Sequence, residues 1–296
     1  MNVYSLERPL AWSRAYNPFY SGRSGIRIRS TPSGQVRLRH EGEGSRTIVF
    51  VCDTPVFIEH YDRLFELLSP RFKVLCLELP GMGFSKPVRN FDYSLRSQAQ
   101  AVWEVLEAED VEECILSFSC VGAYLALIVA SMAPSIVRGV VSIQAPSWEQ
   151  ERAWARRIDF RGRGLVATPV LGQLLLRAGK RKIAERWFHS TLGKAANKQQ
   201  FVDTAIGALD AGSPWALASM VQAYFSHATP TFPTVQQKSL VIWGGGDGSH
   251  RKSDPESAIP YFREARLMRF EQAGHCPDLE EPQRFAEALA LFSAEL

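Results

Sequence analysis

The sequence predicts an α/β protein: eight strands in a mainly parallel sheet, covered by helices on both faces, with a block of helices inserted late in the chain. Three observations point there. Short β-branched runs such as TIVFV at 47–51 alternate with longer amphipathic stretches. Those runs are continuously apolar, as a strand buried on both faces requires. Between Ile143 and Leu240 the alternation stops, and only segments of helical period follow one another.

Residues 1–24 read as an irregular extension. Strands at 26–30 and 35–40 flank a Thr-Pro-Ser-Gly turn and end at Glu-Gly-Glu-Gly. The 47–51 strand precedes a helix at 59–68, whose apolar residues Tyr61, Leu64, Phe65 and Leu68 share one face. A strand at 74–79 runs into Pro80-Gly-Met-Gly. Helix 95–107, strand 113–117, helix 121–132 and strand 139–143 follow. After the helical block at 148–227 come strand 240–243, a helix at 261–265, strand 267–271 and a closing helix at 282–296. The expected domains are the extension (1–24), a core (25–146 and 236–296) and a helical cap (147–235).

Composition bounds the function. The chain has 296 residues, 46% hydrophobic and 22% charged, as in an ordinary globular protein. The longest apolar run, around 123–130, is too short to span a membrane. The N-terminus shows no continuous apolar stretch of the signal-peptide kind, and five irregularly spaced cysteines suit a reducing compartment, so a cytoplasmic location is expected. The net charge of +3 is uneven: residues 147–200 hold twelve Arg and Lys against four acids, leaving the remainder at −5. Long cationic side chains on solvated helices account for this; so does a surface for an anionic partner, such as an acyl carrier protein or a phosphate-bearing acyl donor. No nucleic-acid motif accompanies the basic residues.

Two motifs carry a resemblance. LELPGMGFSKP, from Leu77 to Pro87, is similar to D-x-P-G-x-G-x-S-x-x-P, and AGHCPDLEEPQRF, from Ala273 to Phe285, is similar to G-H-x-x-x-x-E-x-P-x-x-F. In this order, with the strand pattern between them, they resemble the cap-bearing branch of the α/β-hydrolase superfamily over residues 35–296. The resemblance implies a nucleophile, an acid and a histidine in that chain order.

The nucleophile belongs in LSFSCVGAYLAL, starting at Leu116. Such an elbow needs small residues two positions either side of a strained nucleophile. Ser119 has Ser117 before it but Val121 after; Cys120 has Gly122 after it but Phe118 before. The helix that follows matches the family's nucleophile-x-G-G-A-x-A-L pattern without a gap from Cys120, so Cys120 is favoured and Ser119 is the alternative. A thiolate at a helix N-terminus beside an imidazole is expected to form at modest cost. The family pattern further implies His275 as base and Asp247, after the VIWGGG strand, as the acid that orients it. Asp254 is a weaker acid on the same loop.

The oxyanion loop departs from the pattern. Where the family has H-G-x-x, this chain has Cys52-Asp53-Thr54-Pro55. The implied donors are the backbone N–H groups of Thr54 and Val121. Asp53 stands where glycine is usual. It either faces inward, ionised against the oxyanion or protonated as a second acid, or turns outward to cap the next helix. Cys52, Cys120 and Cys276 are expected to converge near His275, but the short C-x-x-C spacing of zinc sites is absent, and neither a metal nor a cofactor is expected.

The reading is an acyl-transfer enzyme forming a Cys-acyl intermediate from a small-molecule ester or thioester: an esterase, thioesterase, acyltransferase or cyclase. Trp148, Trp154, Trp187, Phe188, Trp215 and Tyr224 are available to line its pocket, or simply to pack the cap. A Ser119 hydrolase and a non-catalytic binding protein of the same fold are the alternatives.

Overall fold

A computed structural model describes residues 23–159, 164–210, 213–226 and 230–296. Most of the expected N-terminal extension lies outside these residues. The strands are β1 (Ile26–Thr31), β2 (Gly34–Glu41), β3 (Thr47–Cys52), β4 (Lys73–Glu78), β5 (Lys86–Pro87), β6 (Cys114–Ser119), β7 (Val137–Ile143), β8 (Lys238–Gly244) and β9 (Ala265–Phe270). They form one sheet in the order β1-β2-β4-β3-β6-β7-β8-β9, with β5 paired to β2. β2 runs antiparallel to β1, β4 and β5. From β4 to β9 all neighbours are parallel. The eight expected strands are present; β5 is a ninth, two residues long and too short to leave a periodic signal.

Helices α1 (Asp62–Leu68), α2 (Leu95–Ala108) and α3 (Val121–Met132) join the first strands. Between β7 and β8 lie α4 (Trp148–Ile158), α5 (Leu171–Thr191), α6 (Lys198–Asp210) and α7 (Ser213–Ser226). Short α8 (Pro277–Glu280) and α9 (Pro282–Ala294) close the chain. The helix expected at 261–265 is absent. A three-residue 3-10 turn, Ile259–Tyr261, stands there with Pro260 inside it, and β9 already begins at Ala265.

The sheet alternates side chains between two apolar layers, as the strand period demands. Leu116, Phe118 and Val140 enter the layer with α2 and α3. Ile48, Phe50, Ile115 and Val141 enter the layer with Leu64 of α1 and Phe285 of α9. Because β3 and β6 are buried along their whole length, their carboxyl ends are rigid, which is where an open parallel sheet places its ligand crevice.

One buried ion network stiffens the ground below that edge. Arg37 of β2 is fully buried and pairs with Glu59 and, at 2.7 Å, with Glu78 at the end of β4. Glu78 also accepts the Phe84 N–H at 2.7 Å. Gly83, at φ +51°, lets the PGMG turn wrap that carboxylate: a Cβ there would lie 2.1 Å from Glu78 Oε2.

Candidate active site

β6 passes into α3 through a single residue, Cys120, at φ 50° and ψ −126°. A non-glycine residue holds that conformation only when its surroundings impose it. Here its N–H donates to Ile143 O at 2.8 Å. Ser119 is the last residue of β6, in parallel register with Ile143, so the bend falls on Cys120. Phe118, two residues before the bend, is fully buried in the layer with α2 and α3.

His275 and Asp247 come from the loops after β9 and β8. His275 Nδ1 lies 2.7 Å from Asp247 Oδ2. Asp247 Oδ1 accepts the Ser249 N–H at 2.8 Å and its hydroxyl at 2.7 Å, and Oδ2 accepts Gln144 Nε2 at 3.2 Å. Gln144, at φ 50° just after β7, also accepts the Gly244 N–H at 2.7 Å. Burial works to raise the Asp247 carboxyl, but the charge and hydrogen bond of His275, with help from His250 and Ser249, bring it down to about 2. Burial disfavours a charged His275 ring, yet the charge and bond of Asp247 raise it overall. Glu280 staples the histidine turn by accepting N–H groups from Gly193, Gly274 and Cys276. Asp254 is not part of this arrangement: its N–H donates to Gln150 Oε1, and its carboxylate accepts the Glu256 N–H on an exposed loop.

Asp53 faces inward. One donor atom each from Asp53, Cys120 and His275 lie within 4.8 Å of one another. The outward capping role is not adopted, since Phe57 stands at the start of the next helical turn. Thr54 donates its hydroxyl to Met82 Sδ at 3.1 Å, and Val121 opens α3 directly after Cys120.

A second acid escaped the sequence reading. Glu151, on α4, places Oε1 3.7 Å from Cys120 Sγ. It is 2% exposed and shares a buried face with Trp148 and Trp154. Its signal was an acid at three-residue spacing within an apolar stripe, a placement acids rarely adopt without a partner. Among the described residues, Glu151 Oε2 and His275 Nε2 are buried without a hydrogen-bond partner.

These neighbours change the state of the sulfur. Burial first, then the charges of Asp53 and Glu151, push the Cys120 thiol well above its ordinary value. This opposes the thiolate–imidazolium pair expected from the sequence. Burial raises Asp53 to about 6, against the pull of His275, and Glu151 to about 8.

Among the described residues the three cysteines are not grouped as shared ligands. Cys52 Sγ lies 3.5 Å from Cys76 Sγ, and Cys276 packs in the same apolar layer. Among the described residues, the groups able to share a metal ion are Asp53 with Cys120 and His275, and Asp247 with His250 and His275. His250, also unforeseen, lies nearly parallel to the Trp154 ring at 4.5 Å and to the His275 ring at 5.4 Å. Burial and the charge of His275 hold it down to about 3. Trp154 and Trp187 both contact the His275 ring. Trp148 packs on Tyr124, Phe188 on Phe201, and Trp215 is buried. An internal cavity of about 10 Å³ is bordered by Asp53, Thr54, Val121, Gln98, Met220 and Tyr224. That is room for roughly one water.

A model of the alpha/beta hydrolase family matches residues 48–288. The chain belongs to the alpha/beta hydrolase family. An uncharacterized hydrolase of Saccharomyces cerevisiae is 24% identical to this α/β hydrolase over 114 residues, which cover 38% of this chain and only 39% of the relative. A proposed acyltransferase from Salmonella enterica has a similar structure, with a TM-score of 0.78 at 16% identity over 95% of this chain and 98% of its own. A thermophilic esterase from Thermogutta terrifontis gives 0.72 at 18%, over 91% and 98%. A haloalkane dehalogenase variant from Bradyrhizobium elkanii gives 0.68 at 16%, over 91% and 96%. At these identities the likeness concerns the fold, which hosts several chemistries. No helix among the described residues of this α/β hydrolase is long and apolar enough to cross a membrane.

Proposed function

We propose that this α/β hydrolase transfers acyl groups from a small ester or thioester through a Cys120 thioester. His275 takes and returns the thiol proton, and Asp247 orients the ring. The observation that carries the reading is Cys120 at the strained bend, grouped with a His275 whose far nitrogen already holds Asp247 at 2.7 Å. The Val121 and Thr54 N–H groups are the proposed oxyanion donors; both residues border a small cavity that Asp53 also borders. Asp53, raised to about 6 by burial, adds a third donor only below that pH, where it is protonated.

The helices between β7 and β8 act as a cap over this site. Their exposed Arg156, Arg157, Arg177, Arg181, Lys182 and Arg186 support docking of an anionic acyl donor, including one borne on a carrier protein. Intact-mass analysis after incubation with short acyl thioesters and aryl esters tests the reading. An adduct mapping to Cys120, lost in Cys120→Ala and kept in Ser119→Ala, is expected; an adduct on Ser119 overturns it. A second reading, a non-catalytic binding protein, draws on the single-water cavity and the protonated thiol, and is supported if no acyl group is retained by any variant.

A further inference from the structure

We infer that Glu151 is a second proton-carrying catalytic residue, delivered to the sulfur by helix α4, and that it serves the leaving group and the acceptor while His275 serves the thiol. The assignment rests on the acyl-transfer reading of Cys120.

The first argument is that Glu151 has no structural task. Helix α4 is held by other contacts: the Ser147 N–H donates to Ser257 Oγ at 2.8 Å, the Trp148 N–H to Tyr261 Oη at 2.9 Å, and Trp154 Nε1 to Ser249 Oγ at 3.1 Å. A buried carboxyl kept for structure has its oxygens satisfied. Glu151 instead touches the thiol with one oxygen at 3.7 Å and leaves the other without a partner.

The second argument is position. His275 comes from the loop after β9 and is held by Asp247 from the loop after β8, whereas Glu151 comes from α4. A carbonyl carbon bonded to the sulfur therefore has separate proton carriers from two elements. The third is protonation: burial keeps a proton on Glu151 up to about pH 8, so the resting carboxyl is a donor.

The cycle balances. In acylation the Cys120 proton passes to His275 Nε2 as the S–C bond forms. The bond from carbon to the leaving group then breaks, and the departing oxygen or sulfur takes the Glu151 proton. In the second half, the acceptor's O–H or N–H gives its proton to the Glu151 carboxylate as it attacks the thioester. The C–S bond breaks, and the sulfur recovers its proton from His275. Nothing is oxidised or reduced, and both carriers end as they began.

The test uses leaving-group dependence, which a structural role does not alter. Single-turnover acylation of wild type, Glu151→Gln and Glu151→Asp is followed by intact mass with the acetyl esters of 4-nitrophenol, phenol, trifluoroethanol and ethanol. 4-Nitrophenolate departs without a proton, so Glu151→Gln is expected within about threefold of wild type on that ester. On the ethyl ester it should lose about 100-fold or more, the range for a general acid. Glu151→Asp, which keeps a proton but withdraws it, should fall between, and it carries the test if the Gln variant does not fold. Equal slowing on all four esters, or none on any, overturns the assignment. Absence of a Cys120 adduct in the wild type even with the nitrophenyl ester overturns the acyl-transfer reading beneath it, so the two failures are told apart.

Discussion

Cys120 combines a strained backbone with a suppressed thiolate. The strand-to-helix bend aims the sulfur, but burial, joined by the charge of Asp53, raises the thiol well above its ordinary value. Iodoacetamide alkylation of Cys120, followed by peptide mapping, should therefore be slower at pH 7 than for a free cysteine of pKa about 8.5, with the rate still climbing above that pH. Asp53→Asn removes one of the opposing charges and should speed the reaction about 10-fold. A fast wild-type reaction at pH 7, unchanged in that variant, would show that the acids do not govern the sulfur. That the bend falls on Cys120 was legible because Gly122 follows it at the required offset. Its protonation was not, because Glu151 lies 31 positions away and meets it only through the packing of α4. Asp53 was visible as an anomaly in the oxyanion loop, while its direction depended on contacts with Cys120 and His275 that no local pattern encodes.

At the scale of elements, α4 does two things at once. It carries Glu151, and through Trp154 Nε1 it holds Ser249 Oγ, which in turn donates to Asp247. Trp154→Phe keeps the aromatic packing and deletes one hydrogen bond. It should cost about 1 kcal/mol in chemical denaturation and lower turnover, because Asp247 loses a constraint; unchanged turnover would break the proposed link. The sheet strands were legible in continuous apolar runs, and α2 and α3 in their periodicity. The expected helix at 261–265 failed because Pro260 and the early start of β9 leave room only for a 3-10 turn. The short β5 was invisible because two residues have no period. For the inserted helices, the periodicity over 148–227 showed helical segments but not which of them would face the thiol.

Over the whole molecule, buried acids set the pH response. Burial raises Glu151 to about 8 and Asp278 to about 7, above their unfolded values near 4. Between those limits the unfolded chain binds fewer protons than the native one, so stability falls as pH rises. His60 and His250 act oppositely, since burial lowers both, but their contribution is complete once pH passes about 6.5, the unfolded histidine value. From there to about pH 8 the acids remain, and the raised His275 works in the same direction. The Tm should be lower at pH 8.5 than at pH 6.5, and Glu151→Gln should flatten the decline and raise the Tm at pH 8.5 by a few degrees, the equivalent of about 1 kcal/mol or more. A Tm that rises across this interval, or a Gln variant that melts lower throughout, contradicts the account. The tryptophan of α4 has one more implication, for traffic. Were α4 the door, each opening would loosen the strut under Asp247 and disarm the histidine as the guest arrived. A reactant that entered without moving α4 would leave that strut, and the armed histidine, in place.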